Sequence, residues 1–253
     1  MDPLGELLRL ARRDADWALR WQPWTEADSP RWRPRPDGCY LITGGTGALG
    51  LVLAEWLTSL GARHLVLASR RGLTESLAPA LQHLRSTGAR IDVQQLDVTD
   101  RASLQGLVQE LAHVPLRGVF HAAGVSQWNL LKELDWDACQ AALRAKALGA
   151  WHLHQLVRGL DLDCFVLFSS IASAWGSRGQ AAYTAANRFL DTLAHVRRTD
   201  DLPALSVNWG PWDLPSGMAD SARMDWVVQS GIRPLAPDRA VRTLEIALAS
   251  SLP

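Results

Sequence analysis

Four side chains in the middle of the sequence have the types needed to deliver a proton to a carbonyl oxygen. Ser170 closes the run Cys164–Ser170, Tyr183 follows thirteen residues later at the head of a helical stretch, and Asn187 lies one turn beyond Tyr183 on the same helical face. Lys146 stands in the long helical stretch that precedes them. Hydride reduction of a ketone needs a proton donor at the oxygen, and a phenol, which ordinarily titrates near pH ~10, donates better when its anion is stabilised. A nearby ammonium does this by favouring the phenolate. A serine hydroxyl can orient the carbonyl and hydrogen-bond the developing alkoxide. Taken singly, each residue has a structural alternative: Ser170 as a cap, Tyr183 as packing, Lys146 as a surface charge.

A candidate site for the hydride carrier lies upstream. Thr43, Gly44, Gly45, Thr46, Gly47, Ala48, Leu49 and Gly50 follow the first predicted strand and open a helix. A glycine-rich turn there lets backbone approach a pyrophosphate, and the helix N-terminus offers unpaired N–H groups; the alternative is a tight turn without a ligand. About 20 residues further, where an NAD site usually carries an acid for the ribose 2′-hydroxyl, stand Ser69 and Arg70. A guanidinium suits a 2′-phosphate, so NADPH is favoured over NADH unless Arg70 is only a solvated surface charge. Asp97 and Val98 follow the third strand, where they could face adenine, and Ala122, Ala123 and Gly124 follow the fourth, where small residues let a ribose pack closely.

These residues fall at the ends of regular elements. Cys39–Thr43, His64–Ala68, Ile91–Gln95, Arg117–His121, Cys164–Phe168 and Ala204–Asn208 read as six strands, with apolar residues at helical spacing over 49–61, 77–88, 101–114, 137–159 and 181–198. The alternation predicts an α/β, Rossmann-type doubly wound parallel sheet, whose ligands bind beyond the carboxyl ends of the strands. Residues 1–37 differ: a short amphipathic helix, the alternating WALRW and a proline-rich connection suggest a tether or an edge element.

Composition narrows the class. Lys plus Arg and Asp plus Glu both total 26, and the zero net charge argues against a nucleic-acid binder. No apolar run approaches the roughly 20 residues of a membrane-spanning helix, and the N-terminus lacks a signal-peptide pattern. Cys39, Cys139 and Cys164 are too scattered for a zinc site or a disulfide framework, so no metal is expected. The expectation is a soluble cytoplasmic protein.

TGGTGALG, LASRRG, LDVTD, VFHAAGV, KALGAWHLH, FVLFSSIASAWGSRGQAAYTAANRFLDTLA and VNWGPW together resemble the catalytic subdomain of polyketide synthase ketoreductases, members of the short-chain dehydrogenase/reductase superfamily. The likeness runs from about residue 38 to 250 and implies domains at 1–37 (linker or remnant of a structural subdomain) and 38–253 (NADPH-binding catalytic subdomain). It implies reduction of a β-ketoacyl thioester, carried on an acyl carrier protein, to the β-hydroxyacyl thioester. By the same likeness Tyr183 is the proton donor, Ser170 the oxyanion partner, and Lys146 with Asn187 completes a tetrad. Most of the superfamily carries the lysine four residues after the tyrosine; here Asn187 stands there and Lys146 comes from the earlier helix, the exchanged arrangement of synthase ketoreductases. Ser169, Lys146, Tyr183, Pro211 and Trp212 are further implied cofactor contacts, and Leu214–Gly231 an implied lid with hinges at Gly217 and Gly231.

Three places carry the family's stereochemical marks. Trp175, eight residues before Tyr183, is the tryptophan of A-type members, which typically give L-hydroxyls, and Ser126, Gln127 and Trp128 stand where B-type members have Leu-Asp-Asp. Gln180 replaces a histidine associated with D-α-substituted substrates and so prefers the A1 subtype. The remainder of the structural subdomain and a last strand, normal in the family, are not found in the sequence; this implies a fragment, or completion by another segment, and neighbouring synthase domains as partners. A non-catalytic ketoreductase-like scaffold and a free-standing reductase of small ketones are the alternatives.

Overall fold

The structure is a computed structural model that describes residues 32–125, 128–214, 229 and 231–250. The predicted helix and alternating segment near the N-terminus lie outside these residues, as does most of the implied lid, including Gly217.

Strands β1 (Cys39–Thr43), β2 (His64–Ser69), β3 (Arg90–Gln95), β4 (Leu116–His121), β5 (Cys164–Ser170) and β6 (Leu205–Trp209) form one sheet in the order β3-β2-β1-β4-β5-β6. Every pairing is parallel. This is the predicted doubly wound sheet. Its central strands are almost wholly buried because both faces are covered. In β1, Cys39 and Leu41 enter the core on one face while Tyr40 and Ile42 enter the other; β5 repeats this with Phe165 and Leu167 against Val166 and Phe168.

The crossovers are α1 (Ala48–Ser59), α2 (Ala78–Ser86), α3 (Arg101–Glu110), α4 (Trp136–Leu143) with α5 (Gly149–Val157), and α7 (Ala181–Thr199); a short α6 (Ala172–Trp175) follows β5, and α8 (Pro237–Ala249) follows β6. Asp100 starts α3 by accepting from the Ala102 and Ser103 N–H groups. Between α4 and α5 the helix does not break but widens into a π-turn at Arg144–Leu148. Periodicity had predicted a continuous helix over 137–159, and residues 138–150 are so rich in alanine that no sharp apolar stripe marks the phase an inserted residue would shift. Ser169 and Ser170 also belong to β5, so the predicted strand end at Phe168 is too early by two residues.

Trp56 and Trp151 are buried in the core, and Trp136 is exposed on α4. Among the described residues no helix is long and apolar enough to cross a membrane.

Gly50 fixes how α1 meets the turn before it. A Cβ there would lie 2.5 Å from the Gly44 carbonyl oxygen and from Gly45 Cα, both backbone atoms. Helix propensity alone would make Gly50→Ala stabilising by about 0.5–1 kcal/mol. The clash outweighs this, and we expect Gly50→Ala to destabilise by about 1–3 kcal/mol, read as a lower urea midpoint at unchanged slope. A midpoint at or above wild type would mean that α1 shifts freely on the turn.

Candidate active site

The carboxyl ends of β1, β2, β4 and β5 open onto one cleft of about 1420 Å³. At its floor Lys146 is buried, its Nζ donating to the Phe168 carbonyl at 2.6 Å. The same Nζ lies 5.5 Å from the centre of the Tyr183 ring, within cation–π range. The fold thus brings together two residues separated in sequence by α5, β5 and α6. Burial pushes the Lys146 amine down to about 8, against the opposing pull of the Asp191 carboxylate.

Tyr183 departs from expectation in its electrostatics. The ammonium was expected to make the phenol more acidic; instead burial raises its pKa, with the Ser170 and Asn187 side chains pulling the other way. Desolvation of the phenolate outweighs both. Ser170 lines the cleft, and its oxygen accepts from the Ala172 N–H at 3.2 Å. It therefore does cap the next turn, and its side chain is also hydrogen-bonded to the Tyr183 hydroxyl.

Asn187 is fully buried and does not line the cleft. Its Nδ2 donates to the Tyr183 carbonyl at 2.8 Å, Ser169 Oγ donates to the Asn187 carbonyl at 3.2 Å, and Asn187 Oδ1 is buried without a hydrogen-bond partner among the described residues. Asn187 thus holds the helix beneath the tyrosine. One turn further along α7, Asp191 accepts from Ser173 and Ser206, each at 2.6 Å, and from Asn208 at 3.2 Å. This fastens α6, α7 and β6 together, and nothing in the sequence pattern had singled it out.

The glycine-rich turn fits a dinucleotide. Gly44 has φ +71°, and a Cβ on it would sit 3.0 Å from the Ala122 carbonyl, so the turn closes only without a side chain. No side chain caps α1 and no acid stands in its first turn, which leaves its N–H groups and positive dipole end facing the cleft. Gly44, Thr46, Gly47, Ala48 and Leu49 line it, as do Ser69 and Arg70 at the tip of β2. Thr46 donates to Ser69 Oγ at 2.6 Å, pinning the turn to that tip. Arg70 is exposed, with no ion pair among the described residues. Asp97, Val98, Ala122, Ala123, Gly124, Ser169, Pro211 and Trp212 also line the cleft. Thr43 does not: it is wholly buried, and its Oγ1 meets His121 Nδ1 at 2.7 Å.

At the other end of the cleft, Trp175 stands at the lip, 65% exposed, near Gln180. Trp128 packs over Gly179, while Ser126 and Gln127 lie outside the described residues. Trp209 and Trp212 meet edge to face at 5.0 Å against Phe168 and line the wall that β6 supplies. Gly231 has φ +82°, and beyond it Leu235 pairs its backbone with Pro211, which brings the chain back to the cleft at Ile232. Among the described residues no group of three or more His, Cys, Asp or Glu side chains is placed to hold a metal ion.

Comparison with known proteins follows the same lines. The family model described as KR domain matches residues 38–214. A phenolphthiocerol synthesis polyketide synthase, Pks1, of Mycobacterium tuberculosis, whose name carries the qualifier "inactive", is 45% identical over 227 residues, covering 86% of this chain and 14% of that protein. A ketoreductase from the first module of phoslactomycin biosynthesis in Streptomyces sp. HK803 superposes with a TM-score of 0.84 at 38% identity over 89% of this chain and 52% of that one. A structure described as an A1-type ketoreductase gives 0.83 at 41% identity, over 88% and 48% of the two chains. The chain therefore spans about half of these ketoreductases and a small part of the synthase. It belongs to the ketoreductase (KR) domain family of modular polyketide synthases, within the short-chain dehydrogenase/reductase superfamily.

Proposed function

We propose that this chain is the catalytic part of an NADPH-dependent reductase that converts a β-ketoacyl thioester on an acyl carrier protein to the β-hydroxyacyl thioester in polyketide biosynthesis. The observation that carries this reading is the buried Lys146 ammonium 5.5 Å from the Tyr183 ring, beside Ser170 and next to a glycine-rich dinucleotide turn. On this reading residues 38–253 form the catalytic subdomain and 1–37 its linker, the neighbours are other synthase domains, and the work is done in the cytoplasm.

The turn at Gly44–Leu49 would hold the pyrophosphate, Arg70 the 2′-phosphate, Asp97 and Val98 the adenine side, and Pro211 and Trp212 the nicotinamide side. When bound, the reduced nicotinamide supplies hydride. The Ser170 hydroxyl donates to the ketone oxygen and fixes its direction. Tyr183, kept protonated at neutral pH by burial, gives its proton to that oxygen as negative charge develops there. Lys146 stabilises the phenolate left behind, and Asn187 holds the helix backbone under the tyrosine. Trp175 at the lip, with Gln180 beside it, biases the side from which the phosphopantetheine arm enters, as an A1-type member giving the L-hydroxyl. A non-catalytic scaffold is the second reading, favoured by the qualifier on the Mycobacterium tuberculosis relative. Retention of all four residues weighs against it.

NADPH consumption with a β-ketoacyl-N-acetylcysteamine thioester tests the proposal. Tyr183→Phe should lower kcat by about 100-fold or more while NADPH binding, followed by fluorescence, is unchanged. Wild-type turnover in the variant would remove the phenol from the reaction, and a mainly D product on chiral chromatography would overturn the assignment of Trp175. Arg70→Ala should raise KM for NADPH by about tenfold or more and hardly change that for NADH; equal effects would sink the 2′-phosphate assignment. The ammonium is present below a pH of about 8 and lost above it. The kcat profile should therefore fall on its alkaline side with a midpoint near that value, and a profile flat to pH ~10 would exclude a role for the Lys146 charge.

A further inference from the structure

We propose that His121, held as one neutral tautomer with its proton on Nε2, is a positioning residue that fixes Lys146 beneath Tyr183 and ties it to the glycine-rich turn through Thr43. This rests on the reading of Lys146 as part of the reductase.

His121 ends β4, is wholly buried and does not line the cleft, so it touches neither substrate nor cofactor. Its Nε2 lies 3.0 Å from the Lys146 backbone carbonyl. A carbonyl only accepts, so Nε2 carries the hydrogen. Nδ1 is then bare, and it accepts from the Thr43 hydroxyl at 2.7 Å. Both ring nitrogens are committed, and the tautomer follows from the partners alone. Burial, reinforced by the Lys146 charge, pushes the imidazole down to about 4, which keeps it neutral.

What the imidazole grips is the π-turn Arg144–Leu148, on which the lysine sits. The Gly149 N–H is shared between the Arg144 and Lys146 carbonyls, and His121 supplies the Lys146 carbonyl with a second donor from outside the helix. Removing one residue's worth of bulge turns a helix by about 100°, so a π-turn that relaxed to an α-turn would swing Lys146 off its place. Beyond the backbone the side chain has few other guides. Its stem lies on Gly124, where a Cβ would come 2.8 Å from Lys146 Cε, and its tip is held by the Phe168 carbonyl. Thr43 is the residue at which β1 passes into the turn, and its carbonyl accepts from the Ala122 N–H at 3.1 Å. The same ring therefore links the element that would carry the pyrophosphate to the element that carries the ammonium.

Asparagine and glutamine separate this role from simple packing. The His121→Asn amide nitrogen stands near the place of Nδ1 and cannot reach the Lys146 carbonyl, whereas the longer His121→Gln amide ends near the place of Nε2 and can. We expect H121N to lose about tenfold or more in kcat with KM for the thioester within about twofold, and H121Q to recover to within about threefold of wild type. Independently of turnover, the NMR titration of the Lys146 amine should move upward from about 8 in H121N and stay in place in H121Q. Long-range 15N–1H correlation in the wild-type protein should show His121 protonated on Nε2 only, without titration around neutral pH. A proton on Nδ1, or an unmoved Lys146 titration in H121N, overturns the proposal, as does an equal loss in both variants. These two NMR readings hold even if the wild-type chain turns over no thioester, an outcome that would count against the reductase reading alone.

Discussion

A buried ammonium is the constraint around which the rest of this structure is arranged. Taking a lysine out of water costs several kcal/mol unless its charge is met inside. Here one backbone carbonyl, the face of one phenol and a carboxylate further along α7 meet it. The carbonyl belongs to β5 and the phenol to α7, so the lysine can be satisfied only where the fifth strand, the helix after it and the π-turn converge. The doubly wound order of the sheet produces that convergence, because β5 lies beside β4 and both run toward the same edge.

The supporting contacts follow from this need for precision. Asn187 grips the Tyr183 carbonyl, Ser169 grips the Asn187 carbonyl, and Asp191 gathers Ser173, Ser206 and Asn208. Each is a side chain spent on backbone or on another side chain beneath the cleft. They hold the placement of Ser170 and Tyr183, which the proposed chemistry needs to a fraction of an ångström. The glycine-rich turn is treated in the same way, with Thr46 bonded to Ser69 and Thr43 to His121, so that its backbone is fixed from both sides.

Much of this was legible in the sequence, for identifiable reasons. Strands covered on both faces leave continuous apolar runs, and all six were located, with ends displaced by at most two residues. Tyr183 and Lys146 could be paired because the order of strands puts their elements side by side. Thr43 and Asn187 were singled out by motif, but a motif does not say whether a side chain faces the cleft or the scaffold below it; both face the scaffold. The π-turn left no mark, since the alanine-rich stretch around it carries no sharp apolar stripe whose phase an extra residue would shift. Asp191 looked like any acid on an amphipathic helix, and only the approach of β6 and α6 gives it three donors. His121 was visible as the last residue of a strand, but its two partners come from positions 78 residues before it and 25 after.

The direction of the Tyr183 shift fits a proton donor better than the expected one does. A phenol made strongly acidic in the resting site would reach the ketone already ionised and have nothing to give. An ammonium 5.5 Å from the ring centre favours the phenolate over the phenol. Burial offsets that before reaction and keeps the phenol protonated. In the proposed reaction the same field acts when it is needed, as the proton leaves and the phenolate forms over the cation. A donor of this kind is held neutral by desolvation and released by a fixed charge, and neither works without the other.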